Sequence, residues 1–254
     1  MLDFIRIACA VPEVQVGNPV KNTEEICAWL DKTEEAGSDL VLFPELAVTG
    51  YTCGDLFLQE ALLRSAEEGL KTIAAHTEKY PALTVVVGVP LRLGGLLYNC
   101  AAVISAGCIR GIVPKTYLAG EMGESRWFAP ASKLLVSHIR CAGQEVPIGS
   151  DLLFSLADGT VFGVEICEDL RGSLATRISL CPAGGGRRRG DSQSLCFQRA
   201  GRQAGTAAGA GVQPVCGQLL HLCAGVCRLY RVYPGYGILR TQYRGGKGQD
   251  TKGK

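Results

Sequence analysis

Apolar residues along this chain fall into two rhythms. Some form strand-length runs, and others recur every three to four residues. "FIRIACAV" (residues 4–11) predicts a first strand, and Gly17-Asn18-Pro19 punctuates the chain after it. "NTEEICAWLDKTEEAGS" predicts a helix with Asn22 as N-cap and Glu25 three residues on. Ile26 and Leu30 share its face, and Gly37 ends it. "DLVLFPEL" predicts a buried strand that stops at Pro44. A second helix is predicted over about 55–79, with Leu63, Ala66, Leu70 and Ile73 in one stripe. "ALTVVVGVP", "LLYNCAAVISAG" and "CIRGIVPK" predict three successive strands. "DLLFSLADGTVFGVEIC" predicts a hairpin turning at Asp158-Gly159. The order is β-α-β-α-β-β-β, a less regular stretch, then the hairpin. That order predicts a layered α/β domain with a mixed sheet.

Composition changes this picture at one place. The 254 residues carry a net charge of +2, which hides a split near Leu170. Residues 1–170 hold 12 Lys/Arg against 22 Asp/Glu, a balance of −10. Residues 171–254 hold 14 Lys/Arg against Asp191 and Asp250 alone, a balance of +12. The second part has no glutamate, and 17 of its 84 residues are glycine. Such a break marks a second domain, a basic tail or a disturbed reading frame. The longest apolar runs are strand-sized, which predicts no transmembrane helix and no membrane partner. The N-terminus lacks a basic n-region and a small-residue cleavage site. The 12 cysteines show no framework spacing and read as thiols of a cytoplasmic protein rather than as disulfides.

Three residues stand where a strand hands over to a loop, the place where α/β folds carry reactive groups. They are Glu45, Lys115 and Cys167. Taken singly, each has an ordinary reading: a loop carboxylate, a surface lysine, a small buried thiol. Taken together they suit attack on an amide. A thiol with a pKa of about 8.5 needs help to ionise at neutral pH. A carboxylate can take its proton, and an ammonium can stabilise an oxyanion.

"LVLFPELAVTGY", "VPKTYL" and "GVEICEDL", in that order, resemble the nitrilase (carbon–nitrogen hydrolase) superfamily. The wording "FPELAVTGYTCGDLF" and "ICEDL" resembles the glutaminase domain of glutamine-dependent NAD synthetases. The resemblance runs from about residue 5 to 170. It implies an α-β-β-α sandwich with Glu45 as general base, Cys167 as nucleophile and Lys115 as the group that stabilises the tetrahedral intermediate. It also implies that Tyr51 lies near bound glutamine and that Glu124, in "GESRWF", supports the site. Where the family usually reads Lys-Thr-Tyr-Leu-Pro-Asn-Tyr before a longer loop, this chain reads "KTYLAGEMGESRWF", about two residues shorter. The implied function is hydrolysis of glutamine to supply ammonia for ATP-dependent NAD synthesis from nicotinic acid adenine dinucleotide. In the family, ATP and Mg serve a separate synthetase domain, so this chain is expected to hold no cofactor and no metal. Intact family enzymes assemble as homo-oligomers. The alternatives are a stand-alone nitrilase-type amidase of another small amide and an inactive truncated product.

After Leu170 the family continues with Trp-Val-Pro, a proline-rich turn, a buried strand and an Asn-Leu-Ser sequence. Here the chain continues "RGSLATRISLCPAGGGRRRGDSQSLCFQRAGRQ". A nucleic-acid arm built on "RRRG" and a zinc site at Cys223 and Cys227 are two functional readings of this part. The first rests on the tail alone, and the second lacks another pair with zinc spacing. A slipped reading frame accounts for more. "QSLCFQR" (193–199), back-translated and read from the second base, can spell Asn-Leu-Ser-Ala-Ser-Asn-Glu. "GSLAT" can yield Val-Pro-Leu-Pro-Pro, and "GRRRG" a run of valines. The expectation is therefore a partial glutaminase domain over 1–170. Residues 171–254 are expected to be a basic, Gly/Arg/Cys-rich, frameshifted segment without order and without a nucleic-acid partner.

Overall fold

A computed structural model describes residues 5–169, together with the backbone of three short strands farther along the chain. Five of the six strands of the first layer come early in the chain: β1 (Arg6–Cys9), β2 (Leu40–Leu42), β3 (Thr84–Leu93), β4 (Leu96–Ser105) and β5 (Cys108–Pro114). They lie side by side in that order. β1, β2 and β3 run parallel, and β3, β4 and β5 antiparallel. This is the predicted mixed sheet. A second layer pairs β8 (Leu153–Ser155) with β9 (Val161–Ile166) in the predicted hairpin.

Strand period decides what each face meets. Val41, Val85, Val87, Val89, Cys100 and Ala102 point to a core shared with Ile26, Trp29, Leu30, Leu70 and Ile73 of the two helices. Their neighbours Ile7, Cys9, Leu42, Val86, Ala101 and Val103 point the other way, onto Phe154, Phe162, Val164 and Ile166. The first sheet is thus covered on both faces, which is why β2 and β3 read as continuous apolar runs. The result is a helix layer, a sheet and a second sheet, three layers of the α-β-β-α sandwich that the resemblance implies.

The helices differ from expectation at their starts. α1 spans Pro19–Glu35 and its N-cap is Asn18, whose side chain accepts from the Lys21 N–H at 3.2 Å. Asn22 lies inside the helix and is buried. Its amide donates to the carbonyls of Gln15 and Val48 and accepts the Gln15 N–H. It satisfies two incoming loops, and the capping role falls to the residue before the helix-starting proline. The second predicted helix is broken. A 3₁₀ turn covers Gly54–Leu58, and α2 runs over Glu60–Thr77. The expected stripe of Leu63, Ala66, Leu70 and Ile73 is buried on α2.

Within the less regular stretch lies a hairpin the apolar pattern did not predict, β6 (His138–Cys141) and β7 (Gln144–Pro147). Its two-residue turn, Ala142-Gly143, has positive φ at both positions, as a type I′ turn demands. A backbone bridge from Ile148 to Ile112 fastens it to β5.

Farther along the chain, β10 (Ser192–Phe197) pairs parallel with β9, and β11 (His221–Cys223) pairs parallel with β10. β12 (Thr241–Gln242) pairs antiparallel with β1. These pairings fall in the segment expected to be without order. Its remaining residues, with "RRRG" and Cys227, lie outside the described residues. Among the described residues no helix is long and apolar enough to cross a membrane.

Candidate active site

Glu45, Lys115 and Cys167 each leave the end of a strand. Glu45 follows β2 through Phe43 and Pro44, and Leu46 after it has a positive φ of 53°. A bulky residue rarely adopts this conformation, so the turn is strained. Gly88 of β3 lies directly beneath. A Cβ there would stand 2.2 Å from the Leu46 nitrogen and 2.7 Å from the Pro44 oxygen. The missing side chain lets the Glu45 turn lie against the sheet. Lys115 follows β5, and its N–H donates to the Asn99 carbonyl at 2.8 Å. Cys167 follows β9 and also has a positive φ, 51°.

The structure joins four of the expected site residues, Glu45, Lys115, Glu124 and Tyr51, in one cluster. The Lys115 ammonium is fully buried, 2.7 Å from Glu45 Oε1 and 2.9 Å from Glu124 Oε1. Tyr51 donates its hydroxyl to Glu124 Oε1 at 2.5 Å, and the Ala119 N–H donates to Glu124 Oε2 at 2.8 Å. The shortened loop therefore still brings Glu124 to the lysine, on two single-turn 3₁₀ helices, Gly120–Met122 and Glu124–Arg126. Asp55 anchors that loop by accepting from Arg126 Nη2 and Trp127 Nε1.

Sequence reasoning missed two members. Asn99 on β4 donates its amide to Glu45 Oε1 at 2.6 Å. Oε1 thus takes both donors, while Oε2 is buried without a hydrogen bond among the described residues. A lone buried asparagine in the apolar run "LLYNCAAV" was the available signal. The second is Asp169, which stands in the quoted "ICEDL" but was given no role there. Its carboxylate accepts the N–H groups of Thr116, Tyr117 and Ile166.

Burial governs the charges here. It raises the Glu45 carboxyl to about 7, against the pull of Lys115 and with help from the Glu124 charge. Burial opposes the charge on Lys115, but Glu45, Glu124 and Cys167 outweigh it and raise its pKa. Burial pushes the Cys167 thiol up to about 12, reinforced by Glu45 and opposed by Lys115. The phenol of Tyr51 is raised by burial and by its bond to Glu124. One ammonium therefore faces two carboxylates, and a thiolate beside them would be a further anion in a dry site. Cys167 stays a thiol until a base takes its proton. Among the described residues no group of three or more His, Cys, Asp or Glu is placed to hold a metal.

A buried carboxylate–ammonium cluster and a cysteine, each at a strand end of a layered α/β fold, point to a class of proteins, and sequence comparison agrees. The carbon–nitrogen hydrolase family matches residues 10–185, and the chain belongs to that family. Within it, the chain is 38% identical over 172 residues to the glutamine-dependent NAD(+) synthetase of Mycobacterium tuberculosis strain H37Rv. That match covers 66% of this chain and 25% of the relative. Among solved structures, a glutamine-dependent NAD(+) synthetase from Cytophaga hutchinsonii superposes with a TM-score of 0.63 at 28% identity. It covers 76% of this chain and 30% of that one. An amidase of the nitrilase superfamily from Nesterenkonia shares the fold, with a TM-score of 0.61 at 17% identity over 86% of this chain and 76% of its own. The chain spans 25% to 30% of the curated synthetases it matches.

Proposed function

We propose that this chain carries the machinery of a glutamine amidohydrolase, supplying ammonia for ATP-dependent NAD synthesis. The observation that carries the reading is the buried Glu45–Lys115–Glu124 cluster beside a cysteine on a strained strand-end turn. The relatives' dependence on glutamine supports the choice of substrate. The ATP-dependent step is that of a synthetase domain, and no step of it is assigned to these residues.

Cys167 Sγ attacks the side-chain amide carbon of glutamine as its proton passes to Glu45. The acceptor is Oε2, because Oε1 is held by Lys115 and Asn99. Lys115 and the backbone N–H groups after Cys167 stabilise the oxyanion, one such donor being worth about 3 kcal/mol. Glu45 returns the proton to the leaving nitrogen, ammonia departs and a thioester remains. Water then gives a proton to Glu45 and attacks the thioester. Glutamate leaves, and the proton returns to sulfur.

The test is release of ammonia and glutamate from glutamine, beside acetamide and propionamide as competing small amides. Glutamine is expected to be preferred, and Cys167→Ala to abolish turnover. A Cys167→Ala protein with near-parental activity sinks the nucleophile assignment, and preference for an aliphatic amide sinks the substrate.

A further inference from the structure

Lys115 and Cys167 belong to different sheets. Lys115 leaves β5 in the first layer, and Cys167 leaves β9 in the second. No strand pairing among the described residues joins those two strands, and the layers meet through apolar side chains such as Val113, Val103, Phe162 and Val164. Apolar contact is non-directional and leaves small sliding movements open. Catalysis is less tolerant, since a misplacement of about 1 Å can cost about a hundredfold in rate. Some directed contact has to set the register between the two strand ends.

Asp169 is placed to be that contact. Its Oδ1 accepts the N–H of Thr116 at 3.0 Å and of Tyr117 at 2.7 Å, the two residues directly after Lys115. Its Oδ2 accepts the N–H of Ile166 at 3.1 Å, the residue directly before Cys167. One buried carboxylate, 6% exposed, thus closes the Cys167 turn on itself and ties it to the lysine strand. Burying a carboxylate is costly, and three amide donors are the compensation that makes it tolerable. A turn needing only a cap would be satisfied by the Ile166 bond. The two bonds to the opposite layer are what require explanation.

We propose that Asp169 is a positioning residue that sets the register of the Cys167 sulfur against the Lys115 ammonium. The inference rests on the reading of Cys167 as nucleophile and Lys115 as oxyanion donor. It predicts a graded series. Asp169→Ala removes all three acceptors. Asp169→Asn keeps Oδ1 for Thr116 and Tyr117 and turns an amide donor toward the Ile166 N–H, so the link between layers survives while the turn is loosened.

The experiment uses the full chain, with four readouts: kcat and KM for glutamine, urea unfolding, amide exchange at Thr116 and Tyr117, and the rate at which iodoacetamide modifies Cys167, followed by peptide mass. In folded Asp169→Ala, kcat is expected to fall about a hundredfold, with KM within about threefold of the parent. Protection at both amides is expected to be lost. Asp169→Asn should recover about tenfold of the loss in kcat. A folded Asp169→Ala with kcat within about threefold of the parent overturns the proposal, as does an Asp169→Asn no better than Asp169→Ala. Should Asp169→Ala fail to fold, Asp169→Asn carries the test alone. A kcat within about threefold of the parent then overturns it. Should the parent chain fail to turn over glutamine, the proposed function fails and Asp169 is judged on Cys167 itself. Freed from its register the thiol is less buried, and modification at Cys167 is expected to quicken about tenfold. An unchanged modification rate overturns the positioning role.

Discussion

Burial raises the Glu45 carboxyl to about 7 although Lys115 and Asn99 both hydrogen-bond it, and that shift has a sign that can be measured. The ordinary value is 4.5. Between the two values the folded protein holds a proton that the unfolded chain has released. The contribution of Glu45 to stability is therefore intact below 4.5 and is lost as pH rises through about 7. Asp169, raised by burial to about 6, adds a slope of the same sign. Urea unfolding of the parent and of Glu45→Gln, at about pH 5 and about pH 8, separates the two residues. The parent is expected to lose more stability over that interval than the variant, whose remaining slope comes from Asp169 and other groups. Equal slopes would refute the assignment. The proposed mechanism makes the same ionisation set the rate: kcat/KM for glutamine is expected to climb with pH and level off above about 7. Lys115 is more exacting still, because deleting it strands Glu45 and Glu124. Lys115→Met is expected to cost about 3–5 kcal/mol at neutral pH, measured by urea unfolding, and less in acid as the carboxylates protonate. A variant as stable as the parent at neutral pH would show the cluster to be uncharged. Glu45 and Lys115 were legible in the sequence because strand ends advertise themselves by proline. Asp169 was not, because a carboxylate that serves three backbone amides across two layers leaves no trace in local pattern.

Among the elements, the contact that fixes Glu45 is a backbone crossing. The turn holding Glu45 passes over β3 at Gly88, where a methyl group would meet backbone atoms of Pro44, Glu45 and Leu46. Backbone cannot move aside as a flexible side chain can. Gly88→Ala is expected to destabilise by about 1–3 kcal/mol and to lower kcat for glutamine by shifting Glu45. Gly120→Ala, with nothing within 4 Å of the added carbon, serves as a control and is expected to fall within about 0.5 kcal/mol of the parent. Thermal unfolding of both variants checks this, and equal effects would show that the crossing does not govern Glu45. The sequence showed β3 only as a strand, "ALTVVVGVP", with no role for its glycine. Its purpose depends on a segment some forty residues earlier. The same reasoning explains the other element-level differences. Helical period located α1 and α2 because each buries one stripe. It ran across Gln59 because the 3₁₀ turn keeps Phe57 buried on the same side. The β6–β7 hairpin was hidden because most of its residues are partly exposed and carry little alternation.

Taken as a whole, the molecule changes character at Leu170, and we propose that the reading frame changes there. The balance of −10 before that point and +12 after it is not easily read as one folding unit. The place beside β9 is filled by β10, residues 192–197. Residues 193–197 of that strand belong to the stretch, 193–199, whose alternative frame spells Asn-Leu-Ser-Ala-Ser-Asn-Glu. The register of chain length is thus the one expected if a single base separates the two frames and few residues are lost. A frameshifted strand can supply backbone hydrogen bonds, which any sequence can make. It cannot supply the apolar alternation that closes a core. Two missing core side chains can cost several kcal/mol, against a total stability of about 5–15 kcal/mol. The decisive observations are the gene sequence around codon 170 and a pair of purified proteins. One is the chain as written, and the other has its frame restored through the hydrolase domain. The restored protein is expected to melt in one sharp transition and to release ammonia from glutamine. The chain as written is expected to melt broadly and at lower temperature, with turnover reduced at least tenfold as Cys167 loses its support. Equal turnover in the two, or a sharp melt of the chain as written, would show that residues 171–254 complete the sandwich in the frame in which they stand.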